Sequence, residues 1–409
     1  LDFGLNSRID TVGLIHQDII DKLAKLLYCT FNLFVKLVSY IHPIRTYLPC
    51  TGVGRHINQI LLGLAEQSGV ELNLLFSQQW LESDGKLNPR CPLRELPKRT
   101  FPGLENPTER TWKLFGYPRM DKYLPEQTDW LYVPMETYIP VSKCPVAVTI
   151  HDVQAFEINL PWSRTWQHQW FRYKWGRWVR RALSECRVVF TVSEFSKQRM
   201  VELLGADPQK IVVVGNGVEQ SFFDIASVNS LDFKPPVEAP YTLVIGGLRQ
   251  KKGGDYVLAV AKTLLERKSN LKILVAGELE ADYIEAAKAH SNISLLGMVC
   301  DEDLPRLLRQ ASSLLFLSLY EGFGMPALEA MAVGTPVIVS NRASLPEVVG
   351  DAGIVVNPEE TDAIAQILIN LEANPNVAEE YVQRGRKHAA EHTWLRCVNR
   401  VITALQEFA

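Results

Sequence analysis

The chain has 409 residues, of which 47% are hydrophobic and 22% charged, and a formal net charge of -3. That length exceeds one ordinary domain and suits two or three, each with a sizeable core. The near-neutral balance excludes a whole-protein polyelectrolyte binder, and no apolar run reaches membrane-spanning length without interrupting charges.

In chain order, residues 11–40 come first. Their apolar positions follow helical spacing, and the stretch reads as a helical insert that docks on a membrane, covers a dimer face or shields a sheet edge. "TGVGRHI" at 51–57 reads as a glycine-rich turn before a helix. Short strands follow at Trp130–Val133, 146–150, Val188–Thr191 and 211–214. Between the second and third lies "PWSRTWQHQWFRYKWGRWVRR" (161–181), with five tryptophans, six Lys/Arg and no acid. Trp162, Trp166 and Trp170 there share one helical face. That face is either an interfacial surface for anionic lipid or an ordinary amphipathic helix with tryptophans packed inside.

Residues 227–240 hold several prolines and little periodicity, the mark of a linker. Beyond it, strands at Tyr241–Ile245, 271–276, 314–319 and 336–339 alternate with helices at 256–267 and 304–311. Alternation of this kind predicts α/β architecture: two doubly wound parallel-sheet, Rossmann-like domains facing a central cleft. The expected division is 1–230 on the acceptor side (including the insert near 11–40), 241–390 on the donor side, and a helix at 391–409 packing back on the first domain. Seven scattered cysteines without C-x-x-C spacing argue for a reducing compartment and against a disulfide frame or zinc site. A cytoplasmic location is expected, peripheral on the inner membrane face if 161–181 binds lipid. The chain begins with Leu1, so an upstream targeting segment stays open.

The densest chemical signal is "SLYEGFGMPALEAM". Glu321 falls just past a buried strand, at the carboxyl end where open α/β sheets bind ligands. Gly322 and Gly324 let the backbone approach a ligand closely. Pro326 suits the first turn of a helix, which puts Glu329 in or near that turn. A helix amino end suits phosphate, and a carboxylate beside it suits the vicinal diol of a ribose. A second motif, "VIGGLRQKKGG", follows a strand and brings Arg249, Lys251 and Lys252 to its carboxyl end, where a diphosphate leaving group needs positive charge. "TIHD" at 149–152 and "VVGNGVE" at 213–219 are weaker: alone, the first reads as a packed histidine and the second as a turn.

Together these motifs resemble the retaining glycosyltransferases of glycosyltransferase family 4, with the two-domain GT-B fold. The resemblance is densest over 304–358, continues at "FTVSEFSKQRMVELLG" and "KIVVVGNGVEQSFF", and covers most of the chain from Thr51 to Trp394. The resemblance implies that Glu321 with Gly322, Phe323 and Gly324 holds the donor sugar, and that Glu329 binds the ribose. It implies a diphosphate clamp of Lys251 and Lys252, where the family often has Arg-Lys. It places Gly52 and Gly54 near the diphosphate, His151 of the His151–Asp152 pair against the sugar, and the base against the backbone near Met298 and Val299. Asn216 and Met325 are carried over as donor-binding positions. Many members have an arginine where this chain has Gly247, and Arg249 is the candidate to compensate.

The implied reaction moves a hexose, glucose or mannose, from a UDP- or GDP-sugar to a hydroxyl of a polysaccharide or lipid-linked oligosaccharide. Configuration is retained, with Glu321, Lys252 and His151 as the catalytic group. No Asp-x-Asp motif is present, and no metal or other cofactor is expected; nor is a nucleic-acid partner. The alternatives are a catalytically silent sugar-nucleotide-binding partner and an epimerase or phosphorylase of the same fold. A dinucleotide oxidoreductase would need G-x-G-x-x-G, and "TGVGRHI" lacks the third glycine.

Overall fold

The computed structural model describes residues 34–47, 51–226, 235–238 and 240–409. Two all-parallel sheets organise them. The first has seven strands in the order β3-β2-β1-β4-β5-β6-β7. These are β1 (Val35–Tyr40), β2 (Val70–Ser77), β3 (Lys98–Phe101), β4 (Trp130–Val133), β5 (Val146–Thr149), β6 (Val188–Thr191) and β7 (Ile211–Val213). The second has six, in the order β10-β9-β8-β11-β12-β13. They are β8 (Tyr241–Ile245), β9 (Lys272–Ala276), β10 (Ile293–Gly297), β11 (Ser313–Phe316), β12 (Val337–Ser340) and β13 (Ile354–Val356). Both sheets are doubly wound, so each has a switch point where successive connections leave in opposite directions: β1/β4 in the first, β8/β11 in the second. Crevices open there at the strands' carboxyl ends.

Parallel strands covered by helices on both faces must be apolar on both. In the second sheet Leu314 and Phe316 of β11 join one core while Leu315 joins the other, and Val337 and Val339 of β12 alternate with Ile338 in the same way. Seven helices matter below: α1 (Gly52–Ala65), α2 (Trp166–Glu185), α3 (Glu194–Leu204), α4 (Gly254–Glu266), α5 (Met325–Val333), α6 (Pro375–Ala390) and α7 (Trp394–Glu407). Side-chain oxygens of Thr51, Thr165, Ser193 and Thr393 cap α1, α2, α3 and α7 by accepting first-turn N–H groups.

Two expectations need correction. Of residues 11–40, read as helical, 35–40 form β1, next to the switch point of the first sheet; 11–33 lie outside the described residues. "VKLVSY" is buried at five of six positions, a run that a strand covered on both faces and a helix satisfy equally well. Gly52 and Gly54 do not precede their helix but form its first turn. There the backbone of α1 presses on the chain after β1: a Cβ on Gly54 would lie 2.3 Å from the Arg45 carbonyl oxygen.

Helix α7 returns to the first sheet. Val218 N donates to His392 O (2.9 Å), Arg187 Nε to Phe408 O (3.1 Å), and Val398 packs on Gly63 of α1, where an added Cβ would meet its Cγ2 at 2.6 Å. We expect Gly63→Val to destabilise the protein by about 1–3 kcal/mol through overpacking, and Val398→Ala to restore part of that loss in the double variant, read by urea denaturation.

Candidate active site

The crevice of the second sheet holds the two lysines and both glutamates singled out in the sequence. After β8 the chain turns through Gly246 and Gly247, both at positive φ, and reaches Lys251 and Lys252. Leu319 N donates to Lys251 O (2.9 Å), and a Cβ on Gly253 would lie 2.2 Å from Leu317 O, so this loop is pressed against the one after β11. Across that seam Lys252 Nζ donates to Glu321 Oε1 at 2.6 Å, with side chains 20% and 15% exposed. Burial alone would push the Glu321 carboxyl up; the Lys252 and Lys251 ammoniums outweigh it and hold the group below its ordinary value.

Glu321 opens a loop whose carbonyls are taken up by serine hydroxyls. Ser344 Oγ donates to Glu321 O (3.0 Å) and Phe323 O (2.6 Å), and Ser193 Oγ donates to Gly322 O (2.6 Å). Gly324 turns with φ +118 into α5, whose amino-terminal N–H groups have no partner inside the helix. Phe323 and Met325 are buried. Glu329 sits one turn further along α5 than the sequence suggests: the first turn of that helix carries no acid. It is 4% exposed. Burial raises its carboxyl, the Arg55 guanidinium opposes this, and Glu219 and Asp301 add to the rise.

The first domain closes over these loops. Lys251 Nζ donates to Gln154 Oε1 (2.8 Å), Ser196 Oγ to His151 O (3.1 Å), and the Glu194 and Phe195 N–H groups at the start of α3 donate to Glu347 (2.8 and 2.9 Å). A Cβ on Gly322 would lie 2.7 Å from His151 O, and one on Gly52 3.1 Å from Met325 Cε, so neither glycine has room for a side chain without movement.

His151 lies at the mouth of the first sheet's crevice. Its Nδ1 donates to Glu136 Oε1 (2.7 Å), which also accepts the His151 backbone N–H (3.0 Å). Burial would raise the Glu136 carboxyl, but His151 and those N–H groups bring it down to about 2. With Nδ1–H committed, Nε2 is the nitrogen left to meet a ligand. Beside it stands His56, ring centroids 4.8 Å apart, whose Nδ1 donates to Asn216 Oδ1 (2.7 Å). Burial and the neighbouring His151 bring His56 down to about 3, so it is neutral at physiological pH. Asp152, half-buried, has its carboxyl raised by desolvation against the pull of Lys251.

The contacts above gather Glu321, Lys252, Lys251, Gly322, Met325, Glu329, Gly52 and His151 where the two domains meet, while Gly54 packs on Arg45 and Asn216 bonds His56. Arg249 stands apart: its Nη2 pairs with Glu278 (3.0 Å) on the β9 side of β8, opposite the Lys252–Glu321 seam. Gly247 itself admits no side chain, because a Cβ would lie 1.6 Å from Glu278 O. Met298, 70% exposed, and Val299 line a shallow cavity of about 480 Å³ with Pro236, Cys300 and Asp303. Sequence reasoning missed Glu136, Gln154, Glu347 and Arg55. A lone glutamate in the apolar run "LYVPMETYIP" is the local hint of Glu136; Arg55 lies within "TGVGRHI" and Glu347 within 304–358, but nothing local gives their partners.

Residues 230–388 match the family described as glycosyl transferases group 1, and residues 51–222 match glycosyltransferase family 4. The chain is 26% identical over 396 residues to the O-antigen chain mannosyltransferase B of Escherichia coli, covering 90% of this chain and 99% of that protein. It is 28% identical to the MMP alpha-(1->4)-mannosyltransferase of Mycolicibacterium hassiacum over 60% of this chain and 61% of the relative. Among solved structures, Anabaena HepE in complex with UDP and glucose superposes with a TM-score of 0.64 at 14% identity, covering 91% of this chain and all of the other. Sucrose-phosphate synthase of Thermosynechococcus elongatus does so with a TM-score of 0.64 at 16% identity, over 91% and 98%. At such identities the structures speak for the GT-B fold alone.

Glu136→Gln should destabilise the protein at neutral pH by on the order of 2 kcal/mol. A carboxyl held near 2 contributes stability that is full above its ordinary value and fades as pH falls toward about 2. The difference between variant and wild type should therefore shrink in acid, which thermal unfolding at a series of pH values checks.

Proposed function

Because this chain belongs to glycosyltransferase family 4, we propose that it moves a hexose from a nucleoside-diphosphate sugar to a hydroxyl of a growing polysaccharide or lipid-linked oligosaccharide. Mannose is the favoured sugar, on the strength of the end-to-end match to an O-antigen mannosyltransferase, carried on GDP or UDP. The observation that carries the reading is the Lys252–Glu321 pair at the β8/β11 crevice, on the loop that leads into α5 and its buried Glu329.

In this reading Glu329 accepts the ribose hydroxyls, and Lys251 and Lys252 face the diphosphate. Glu321 and the amide groups around Gly322–Gly324 hold the hexose, and His151 presents Nε2 to it. The bond from C1 of the hexose to the β-phosphate oxygen breaks. That oxygen takes the proton of the acceptor hydroxyl, whose oxygen bonds C1 on the same face, so configuration is retained. Lys252 and the helix-end amides stabilise the charge developing on the leaving diphosphate. No metal is required for this, because lysines supply the charge; activity should survive dialysis against a chelator. Contacts such as Ser193–Gly322 keep the closed cleft free of water, which suppresses hydrolysis.

Turnover with GDP-mannose, GDP-glucose and UDP-glucose tests this. We expect nucleotide release with one donor, a fall in kcat of about a hundred-fold or more in Glu321→Gln and Lys252→Ala, and an axial-to-axial anomeric outcome by NMR. An inverted product would overturn the retaining step. Donor binding without turnover on any acceptor would favour the silent partner.

The acceptor side is proposed to be membrane-facing. Trp166, Trp170 and Tyr173 of α2 are 74%, 61% and 65% exposed on one face, and Arg164, Lys174, Arg177 and Arg180 are exposed around them. The tryptophans at 166 and 170 are therefore not packed inside; Trp162 lies in the turn before α2. No helix among the described residues is long and apolar enough to cross a membrane. Co-sedimentation with anionic vesicles at low salt should be lost in Trp166→Ala/Trp170→Ala and weaken as salt is raised. Equal recovery of both proteins with the vesicles would sink the membrane reading.

A further inference from the structure

Arg55 projects from the first turn of α1 across the cleft, and its side chain is 13% exposed. Its Nη1 donates to Glu329 Oε1 of α5, and its Nη2 to Asp301 in the loop after β10 at 3.3 Å. The amino ends of α1 and α5 face one another here, with Gly52 against Met325.

We propose that Arg55 is a positioning residue through which the first domain completes the ribose site of the second. It aims the Glu329 carboxylate and favours its ionised form, so that the nucleoside diphosphate binds tightly only to the closed molecule. The inference rests on the donor reading above, in which Glu329 accepts the ribose hydroxyls.

Three observations carry it. First, a carboxylate accepts two hydroxyls of a vicinal diol only when it is ionised, and Glu329 is buried. The groups facing it are Arg55 from α1, Glu219 from the loop after β7, and Asp301 from the loop after β10. The two acids and the burial favour the protonated form, and Arg55 is the cation that opposes them. Second, Arg55 is not needed to hold the domains together. Glu347 on the α3 amino end, Ser193 on Gly322 and Lys251 on Gln154 already join them elsewhere. Third, one guanidinium reaches carboxylates on two separate elements, which its fork allows and an ammonium matches poorly. A carboxylate that accepts Nη1 on Oε1 keeps acceptor capacity for a ribose hydroxyl.

Calorimetric titration with GDP, UDP and ADP from about pH 6 to about pH 8.5 tests the proposal on wild type, Arg55→Ala and Arg55→Lys. Without its cation Glu329 takes up a proton at higher pH. Arg55→Ala should therefore weaken nucleotide binding by about ten-fold or more near neutral pH and recover toward wild type as pH rises. Wild type should change little over that range, and Arg55→Lys should fall between. Unchanged affinity in Arg55→Ala would overturn the proposal while leaving the donor reading intact. So would an equal, pH-independent loss in both variants, the mark of a merely structural contact. Should Arg55→Ala fail to fold, Arg55→Lys decides by the same pH profile. Wild type binding none of the three nucleotides would overturn the donor reading and this proposal with it.

Discussion

A carboxylate taken out of water must meet a cation or several N–H groups, or it protonates. The cleft is organised by that requirement. Glu321 meets Lys252 from its own domain, Glu136 meets the ring and backbone of His151, and Glu329 meets Arg55 from the opposite domain. The first two pairs join loops at the carboxyl ends of adjacent strands, β8 with β11 and β4 with β5, and the last joins α1 to α5. The pairs therefore fix where the loops sit, and the loops in turn fix the glycines and helix ends between them.

The glycines follow from the same closeness. Gly322 and Gly52 sit where the two domains touch, and Gly253 where the β8 and β11 loops touch; at each a Cβ would meet a neighbour at 3.1 Å or less. Gly247 is different in consequence. Its side-chain space is filled by the Glu278 carbonyl, so the loop cannot carry an arginine there without moving. Lysines 251 and 252 then remain as the positive charge of the second domain in the cleft, with Arg55 entering from the first. The positive charge at the cleft thus comes from both domains, the lysines beside Glu321 and Arg55 beside Glu329.

Much of the fold was legible because strand composition is local. Val188–Thr191, Trp130–Val133 and Tyr241–Ile245 are buried at nearly every position, and turn or helix signals bound them. Where periodicity was ambiguous the reading failed. "VKLVSY" satisfies a helical stripe and a strand covered on both faces, and only its neighbours β2 and β4 decide. The boundary of α1 was misjudged for a related reason. Two glycines in three residues signal a turn, yet here they let α1 pack on the chain after β1 and on Met325. The direction of Arg249 was not legible at all, since its partner Glu278 follows another strand.

By itself the sequence determined that the chain forms two parallel α/β layers, that Glu321 and Glu329 flank a tight loop at a strand's carboxyl end, and that basic residues follow β8. These are properties of spacing, apolar period and glycine placement within short windows. The tertiary structure alone decided which charge meets which. Arg55 and Glu329 are 274 residues apart, Lys252 and Glu321 are 69 apart, and even Glu136 and His151 are 15 apart on different loops. Coulomb attraction and desolvation depend on distance in space and on burial, and neither is written in the order of residues along the chain.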